Sequence, residues 1–127
     1  MLGQIESDGR AAIADMEAGI GTLTRMPENS FDLALVVADP SSKSIEVARR
    51  AFEIIAERKL GPILLVANKV RDDRDLDLIR AVLGDVEMVV VPEDEAILKA
   101  DRDGLAPYDV ARHSPAVLAI DAISTRL

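Results

Sequence analysis

Short apolar runs and stretches of helical periodicity alternate along this chain. Four short runs, three of them wholly apolar and one (11–16) nearly so, have the length of buried strands, and polar or turn-forming residues end each one: 11–16, 33–38, 63–67 and 88–91. Between the second and third runs, residues 44–59 place apolar side chains on two adjacent stripes, which is typical of a helix lying on a sheet. We therefore predict that strands and helices alternate from residue 11 onward.

Capping residues and helix breakers divide the remaining segments. Gly61 and Pro62 predict the end of the long helix, since glycine supplies a left-handed C-cap and proline cannot continue the helix. Shorter helices are predicted at 76–83, 93–100 and 115–126, the last capped by Ser114. Residues 19–25 and 101–108 are predicted as loops. Residues 1–10 fit either a helix or the first arm of a hairpin, and we favour the helix.

The alternation of strands and helices predicts an α/β fold of three layers. Its centre is a mainly parallel four-stranded sheet with flanking helices and right-handed crossovers, as in Rossmann-like nucleotide-binding proteins. A chain of 127 residues is expected to form a single domain, 1–127.

The amino-acid composition argues against some classes of binding partner. Hydrophobic residues make up 49% of the chain and aromatic residues 2%, so the core must be aliphatic. The net charge of −8 disfavours nucleic-acid binding, which needs clustered basic residues. The sequence contains no cysteine, no apolar run of membrane-spanning length and no signal-peptide pattern. We expect a soluble, cytoplasmic protein without nucleic-acid or membrane partners.

Polar residues follow every predicted strand. In parallel sheets ligands bind at the carboxyl ends of the strands, which makes these residues candidates for a site. They are Asp15 and Glu17 at the end of the first strand, Asp39 to Ser42 after the second, Asn68 and Lys69 after the third, and Pro92, Glu93 and Asp94 after the fourth.

Each of these candidates also has a purely structural interpretation. Asp15 and Glu17 would project to the same side of a strand and hold a cation or a metal-bound water, or they are simply two solvated carboxylates. The Asn68 amide could offer a donor and an acceptor to a purine edge, although asparagine is also a common turn residue. For Pro92, Glu93 and Asp94 the structural interpretation is the stronger one, because a proline after a strand often only ends it. The single histidine, His113, is expected in a loop.

One expected motif is missing from the sequence. No G-x-x-x-x-G-K-[ST] loop occurs in the 127 residues, so they contain no such cradle for nucleotide phosphates.

Five motifs, taken in order, resemble one family. They are Asp15-Met-Glu-Ala-Gly19, Asp32-Leu-Ala-Leu-Val-Val-Ala-Asp-Pro40, Leu65-Val-Ala-Asn68-Lys69, Val91-Pro92-x-Asp94 and Asp101-x-x-Gly104-x-x-Pro107. The order and content are similar to the C-terminal half of MinD/ParA-type P-loop ATPases. Within that family the chain resembles the CooC-like branch, the accessory ATPases of carbon monoxide dehydrogenase.

The resemblance implies roles for individual residues. Asp15 would support Mg²⁺ through water, and the segment from Glu17 to Gly19 would begin a switch that responds to the γ-phosphate. Asn68, with Lys69 beside it, would contact the adenine edge. Pro92, Glu93 and Asp94 would flank the base, so that ATP or ADP with Mg²⁺ is the implied cofactor.

Departures from the family limit what the resemblance implies. The Walker A loop and the first switch of the family are absent, and so is its Cys-x-Cys nickel site, so we expect no nickel site in this chain. Because the family's phosphate-loop strand lies inside the sheet, its loss would leave open strand edges. We expect a homodimer or a Walker A-bearing partner half to cover them.

The sequence leaves three functions open. The first is a non-catalytic or degenerate adenine-nucleotide-binding module that acts through self-association or a partner, with no ATP hydrolysis by this chain alone. The second is the C-terminal half of a split or truncated ATPase, active only with a Walker A-bearing partner. The third is a purely structural interaction domain.

Overall fold

A computed structural model describes residues 9–16 and 20–127 of the chain. In the described part three strands alternate with helices, beginning with a single helical turn. The elements in chain order are α1 (Ile20–Leu23), β1 (Ala34–Ala38), α2 (Ser42–Glu57), β2 (Ile63–Val70), α3 (Asp73–Leu83), β3 (Met88–Pro92), α4 (Glu95–Arg102), α5 (Pro107–Val110) and α6 (Pro115–Ser124).

The three strands form one parallel sheet in the order β1-β2-β3. β1 pairs with β2 from Ala34 opposite Ile63 to Ala38 opposite Ala67. The predicted parallel α/β architecture is therefore confirmed, but the sheet has three strands and not four.

The predicted first strand, 11–16, is wrong. These residues form no regular secondary structure, and Ile13 is 78% exposed. An apolar run becomes a strand only where a neighbouring strand can accept its backbone hydrogen bonds. No strand among the described residues pairs with this segment, so the apolar pattern alone was misleading.

Helices α2 and α3 cover one face of the sheet. Buried side chains of α2 (Ile45, Ala48, Ile55) and Ile79 of α3 pack in one cluster with residues of β1 and β2: Val36, Ala38, Leu65 and Ala67. The broad apolar face predicted for the long helix is thus the face that lies on the sheet. Its observed bounds, 42–57, are close to the predicted 44–59.

Helix α6 covers the opposite face. Ala116 and Ile123 pack against Leu64 and Val66 of β2 and Val91 of β3. Helices therefore lie on both faces, and the predicted three layers are present. This second layer lies over β2 and β3.

The end of α2 differs in detail from its prediction. The left-handed residue after the helix is Lys59, with φ of 51°, and not Gly61. Gly61 has another reason to be glycine, because a Cβ built there would lie 2.2 Å from the carbonyl oxygen of Phe31. Backbone close approach, and not helix capping, explains this glycine.

The remaining segments show smaller differences. The helical turn α1 lies within the first predicted loop, and α5 begins at the end of the second and continues to Val110. The helix or hairpin predicted for residues 1–10 falls mostly outside the described residues. Within the described part of the chain, no helix has both the length and the apolar character needed to cross a membrane.

Candidate functional site

A bulge in β2 presents Asn68 and Lys69. Ala67 pairs with Val90 and Val70 with Pro92, so two residues of β2 lie opposite one residue of β3. Lys69 has φ of 56°, a left-handed conformation that non-glycine residues adopt uncommonly. Bulges and such backbone outliers concentrate next to functional sites, where they redirect side chains. No pattern in the sequence indicates this bulge.

Asp39 joins the two side chains of the bulge to the end of β1. The Nδ2 amide of Asn68 donates to Oδ1 of Asp39 over 3.3 Å, and Nζ of Lys69 lies 3.4 Å from Oδ2. Both Lys69 and Asp39 are partly exposed, so this ion pair contributes little to stability. Its main effect is to orient Asn68 and Lys69 above the carboxyl ends of β1 and β2.

The start of α2 holds Asp39 in place. The backbone N–H of Asp39 donates to Oγ of Ser44 over 3.0 Å, and its carbonyl accepts from the N–H of Ser41 over 2.8 Å. The hydroxyl of Ser41 in turn caps α2 by accepting from the N–H of Ser44. The sequence places Asp39 among the candidate site residues at the strand ends, without indicating its contacts to Asn68 and Lys69. The signal for its role was its position at the carboxyl end of β1, immediately before Pro40.

Pro92 and Glu93 extend β3 beside the bulge. Proline is tolerated here because β3 lies at an edge of the sheet. After it, the N–H of Glu93 donates to the carbonyl of Val70 over 2.9 Å, which continues the pairing with β2. The exposed side chain of Glu93 therefore starts from backbone that adjoins the end of the bulged strand.

Asp94 serves the structure with both carboxylate oxygens. Oδ1 accepts from the N–H of Ala96 over 2.9 Å and caps α4, while Oδ2 accepts from the N–H of Ala116 over 3.0 Å at the start of α6. These donors, with Ala116 foremost, hold the pKa of Asp94 below its usual range. Asp94 therefore connects the start of α4 to the start of α6.

A second carboxylate fixes the connection between β2 and α3. Asp75 is 3% exposed, and Arg71 donates to it from Nε, from an NH2 group and from its backbone N–H, at 2.9 to 3.1 Å. Hydrogen bonding from the Arg71 side chain is the main reason why the pKa of Asp75 is lowered. Asp75 is thus the buried residue of the charged run 71–75, whose other four residues are exposed.

The acidic segment after residue 14 stands apart from this arrangement. Asp15 is exposed and lies in the irregular segment 9–16. None of the hydrogen bonds or ion pairs found among the described residues involves it. Glu17 and Gly19 lie outside the described residues. The roles predicted for these three residues, including Mg²⁺ binding by Asp15, remain predictions.

The two best-formed concavities of the described surface lie away from the bulge of β2. Two shallow concavities of about 370 and 230 Å³ lie along α4, and neither includes Asp39, Asn68 or Lys69. Within residues 9–16 and 20–127, no group of three or more acidic or histidine side chains is arranged to hold a metal ion. The groups available to bind a ligand at this end of the sheet are thus the oriented amide of Asn68, the side chain of Lys69 and nearby carboxylates.

Comparison with known proteins identifies several relatives of this chain, one of which is named as an ATP-binding protein. An uncharacterized ATP-binding protein of Methanocaldococcus jannaschii is 35% identical over 92 residues, covering 70% of this chain and 36% of its own. The carbon monoxide dehydrogenase accessory protein CooC of Rhodospirillum rubrum is 30% identical over 100 residues, covering 78% and 38%. The chain thus spans somewhat over a third of the length of these curated relatives. No protein-family model matches it.

Among solved structures, the cell division protein MinD of Aquifex aeolicus has a similar fold. The TM-score is 0.58 at 21% sequence identity, and the match covers 75% of this chain and 43% of MinD. At this identity the likeness concerns the fold.

Proposed function

The chain belongs to the MinD/ParA-type P-loop ATPase family, and on this premise we propose that it is a non-catalytic adenine-nucleotide-binding module that acts through association with a partner in the cytoplasm. In this proposal it supplies the base-binding side of a nucleotide site. The observation that carries the proposal is the bulge of β2, which orients Asn68 at the carboxyl end of a parallel sheet.

The oriented amide fits a purine base. One Nδ2 hydrogen of Asn68 is directed to Asp39, which fixes the plane of the amide. Its second hydrogen and its oxygen then form the donor and acceptor pair that complements the edge of adenine. In the proposed site Lys69 and Pro92 flank this pair, and Glu93 lies at its border.

The residues around Asn68 do not favour the binding of nucleotide phosphates. The sequence has no glycine-rich lysine loop, and Asp39, Glu93 and Asp94 bring negative charge to the carboxyl end of the sheet. Most of the stabilisation of phosphoryl transfer comes from positioned cations and backbone N–H groups. We therefore expect no ATP hydrolysis by this chain alone, and measurable hydrolysis by the pure protein would contradict the proposal.

Calorimetric titration with adenosine and with ADP tests whether this chain recognises the base or the phosphates of a nucleotide. A site that recognises only the base binds adenosine at least as tightly as ADP at millimolar concentrations, and Mg²⁺ changes neither affinity appreciably. Asn68→Ala should abolish binding of both. Asp85→Ala is the matched control, since Asp85 is an exposed polar residue in the turn before β3, at the opposite end of the strands.

The other outcomes of this titration identify the competing functions. Tighter binding of ADP than adenosine, strengthened by Mg²⁺, would mean that phosphates are recognised and would contradict a base-only site. No binding by a folded protein would favour a purely structural interaction domain. The double use of Asp94 in helix capping is the observation that favours that third function.

A split ATPase is the second candidate, and the length comparison favours it. The Methanocaldococcus jannaschii relative named as an ATP-binding protein is nearly three times as long as the segment that it shares with this chain. In that case a Walker A-bearing partner half would restore turnover, and Asp15→Asn would abolish it if Asp15 supports Mg²⁺ as proposed. If the Asp15→Asn variant retained ATP turnover, Asp15 would not be part of the catalytic site.

A further inference from the structure

The side chain of Arg71 is held in one position and yet remains exposed. Its Nε and one NH2 group donate to the two carboxylate oxygens of Asp75 at 3.1 Å, and its backbone N–H donates to the same carboxylate at 2.9 Å. The Asp75 side chain is 5% exposed, whereas that of Arg71 is 62% exposed. An exposed arginine ordinarily samples many rotamers. The buried carboxylate therefore preorganises an exposed guanidinium group.

The hydrogen bonds to Asp75 leave the flat faces of this guanidinium available. They occupy one edge of the group, which is formed by Nε and one terminal nitrogen. The faces of a guanidinium are weakly hydrated and stack on π-systems. Because the charge is already paired with a carboxylate, the group is better suited to stacking on a base than to binding a second anion.

Arg71 lies at the end of the sheet that carries the proposed base site. It directly follows Val70, the last residue of β2, and Asn68 is in the same strand. The carbonyl of Val70 accepts from the N–H of Glu93, so the chain leaves β2 and β3 side by side. Hydrogen bonding to Asp75 is the main reason why the pKa of Arg71 is raised, and the nearby charge of Glu93 adds to this effect. The guanidinium thus lies near Glu93, at the border of the proposed site.

The aromatic side chains of the chain are engaged elsewhere. There are three of them, Phe31, Phe52 and Tyr108. The two phenylalanines pack against the core between the sheet and α2. The guanidinium of Arg112 lies 4.5 Å from the ring centre of Tyr108, which belongs to α5. A base bound at the end of β2 therefore needs another flat group on its face, and arginine guanidinium planes serve this purpose in nucleic-acid-binding proteins.

We propose that Arg71 stacks its guanidinium on the face of the purine whose edge Asn68 binds. Asp75 is then a positioning residue, because it holds the guanidinium in place without touching the base. The inference rests on the proposed base-binding function and adds a second recognition element to it. The Asn68 amide recognises a donor and acceptor pair that adenine shares with cytosine, whereas stacking favours the larger ring system of a purine.

An NMR titration of the isotope-labelled wild-type chain with adenosine tests the stacking directly. The ring current of a purine shifts protons above its plane to higher field. We therefore expect the Nε–H and Cδ protons of Arg71 to move to higher field, on the same binding curve as the Asn68 amide. In Asp75→Asn this shift of the Arg71 protons should shrink relative to the shift of Asn68, because the guanidinium is no longer held by two carboxylate oxygens. A purely structural role of Asp75 would leave the ratio of the two shifts unchanged.

A lysine substitution separates stacking from charge. Arg71→Lys keeps the positive charge but lacks the planar group. We expect it to weaken adenosine binding roughly three- to fivefold in calorimetric titrations and to reduce the preference for adenosine over cytidine. Arg80→Lys is the matched control and should change neither quantity, since Arg80 is an exposed arginine of α3 outside the proposed site.

The other outcomes would overturn the proposal. They are adenosine binding that leaves the Arg71 protons unshifted, equally tight binding by Arg71→Lys, and a loss of affinity in this variant that is larger for ADP than for adenosine, which would assign Arg71 to phosphates. The first two leave the proposed base-binding function intact, because adenosine still binds. A folded wild-type chain that binds no adenosine would refute both. The shifts of the wild-type chain decide the question even if a variant fails to fold.

Discussion

The carboxylate of Asp94 gives the sharpest prediction about the fold around the site. Its two oxygens accept from two different helix starts, Ala96 of α4 and Ala116 of α6. Asparagine is normally as good a helix N-cap as aspartate. At this position it cannot serve both helices, because one of its two terminal atoms is an NH₂ group that cannot accept a hydrogen bond from a backbone N–H.

The expected cost of Asp94→Asn follows from the bond that is lost. A hydrogen bond to a charged acceptor contributes about 1.5 to 3 kcal/mol, and the unpaired N–H would be left partly buried. For a domain of this size that corresponds to a decrease in Tm of about 5 to 12 °C. Asp94→Ala should cost more, since it also removes the cap of α4, which is worth about 1 kcal/mol.

Asp72→Asn is the matched control for this substitution. Asp72 caps α3 with a single oxygen, Oδ1, which accepts from the N–H groups of both Arg74 and Asp75. Asparagine can reproduce that arrangement completely. The free energy of unfolding, measured by urea denaturation, should therefore change by no more than about 0.5 kcal/mol in this variant.

Acid denaturation provides a second readout for Asp94. Since its pKa is lowered in the folded state, its carboxylate stabilises the fold above the usual aspartate pKa, and this stabilisation is lost as the pH falls through the lowered value. The difference between wild type and Asp94→Asn should thus shrink in strong acid. If the two variants Asp94→Asn and Asp72→Asn were equally stable, the bridge between α4 and α6 would be refuted.

Three further predictions concern the scaffold. Asp75→Asn should lower stability at neutral pH and have less effect in acid, because Arg71 lowers the pKa of Asp75 and the benefit disappears once the carboxyl is protonated; urea titrations at several pH values measure this. Gly61→Ala should lower stability by about 2 kcal/mol or more, since the new Cβ would meet a carbonyl oxygen at 2.2 Å; an unchanged Tm would contradict it. Ile79→Ala should cost about 2 to 5 kcal/mol in urea denaturation because Ile79 is fully buried, while Leu78→Ala beside it stays within about 0.5 kcal/mol.

Local signals predicted most of the regular elements. The apolar runs at 33–38, 63–67 and 88–91 became β1, β2 and β3, because each finds a paired neighbour and a covering helix. Ser114 and the following proline predicted the start of α6 correctly, since a side-chain cap and a residue with fixed φ act within one turn.

Features that depend on residues far apart in the sequence could not be predicted from local patterns. The run at 11–16 is nearly all apolar and so resembles the true strands, but strand formation needs a partner that no local pattern reveals. Gly61 was assigned to a helix cap, whereas its close approach to Phe31 is a tertiary contact.

The candidate site was predicted in outline and missed in its central detail. Parallel topology was enough to predict that Asn68, Lys69 and the residues after β3 would lie at one end of the sheet. The bulge that aims Asn68 at Asp39, and the commitment of Asp94 to two helices, depend on strand register and on the packing of α6. Neither property has a signature in the sequence.

The most direct test of the central claim is an NMR titration of the isolated, isotope-labelled chain with adenosine. The account predicts saturable chemical-shift changes centred on the Asn68 side-chain amide and the backbone of Lys69 and Glu93. Titration with ADP should produce the same pattern at no lower ligand concentration. Shifts confined to other surfaces, or none in a protein whose spectrum shows it to be folded, would contradict the claim that this chain supplies the base-binding side of a nucleotide site.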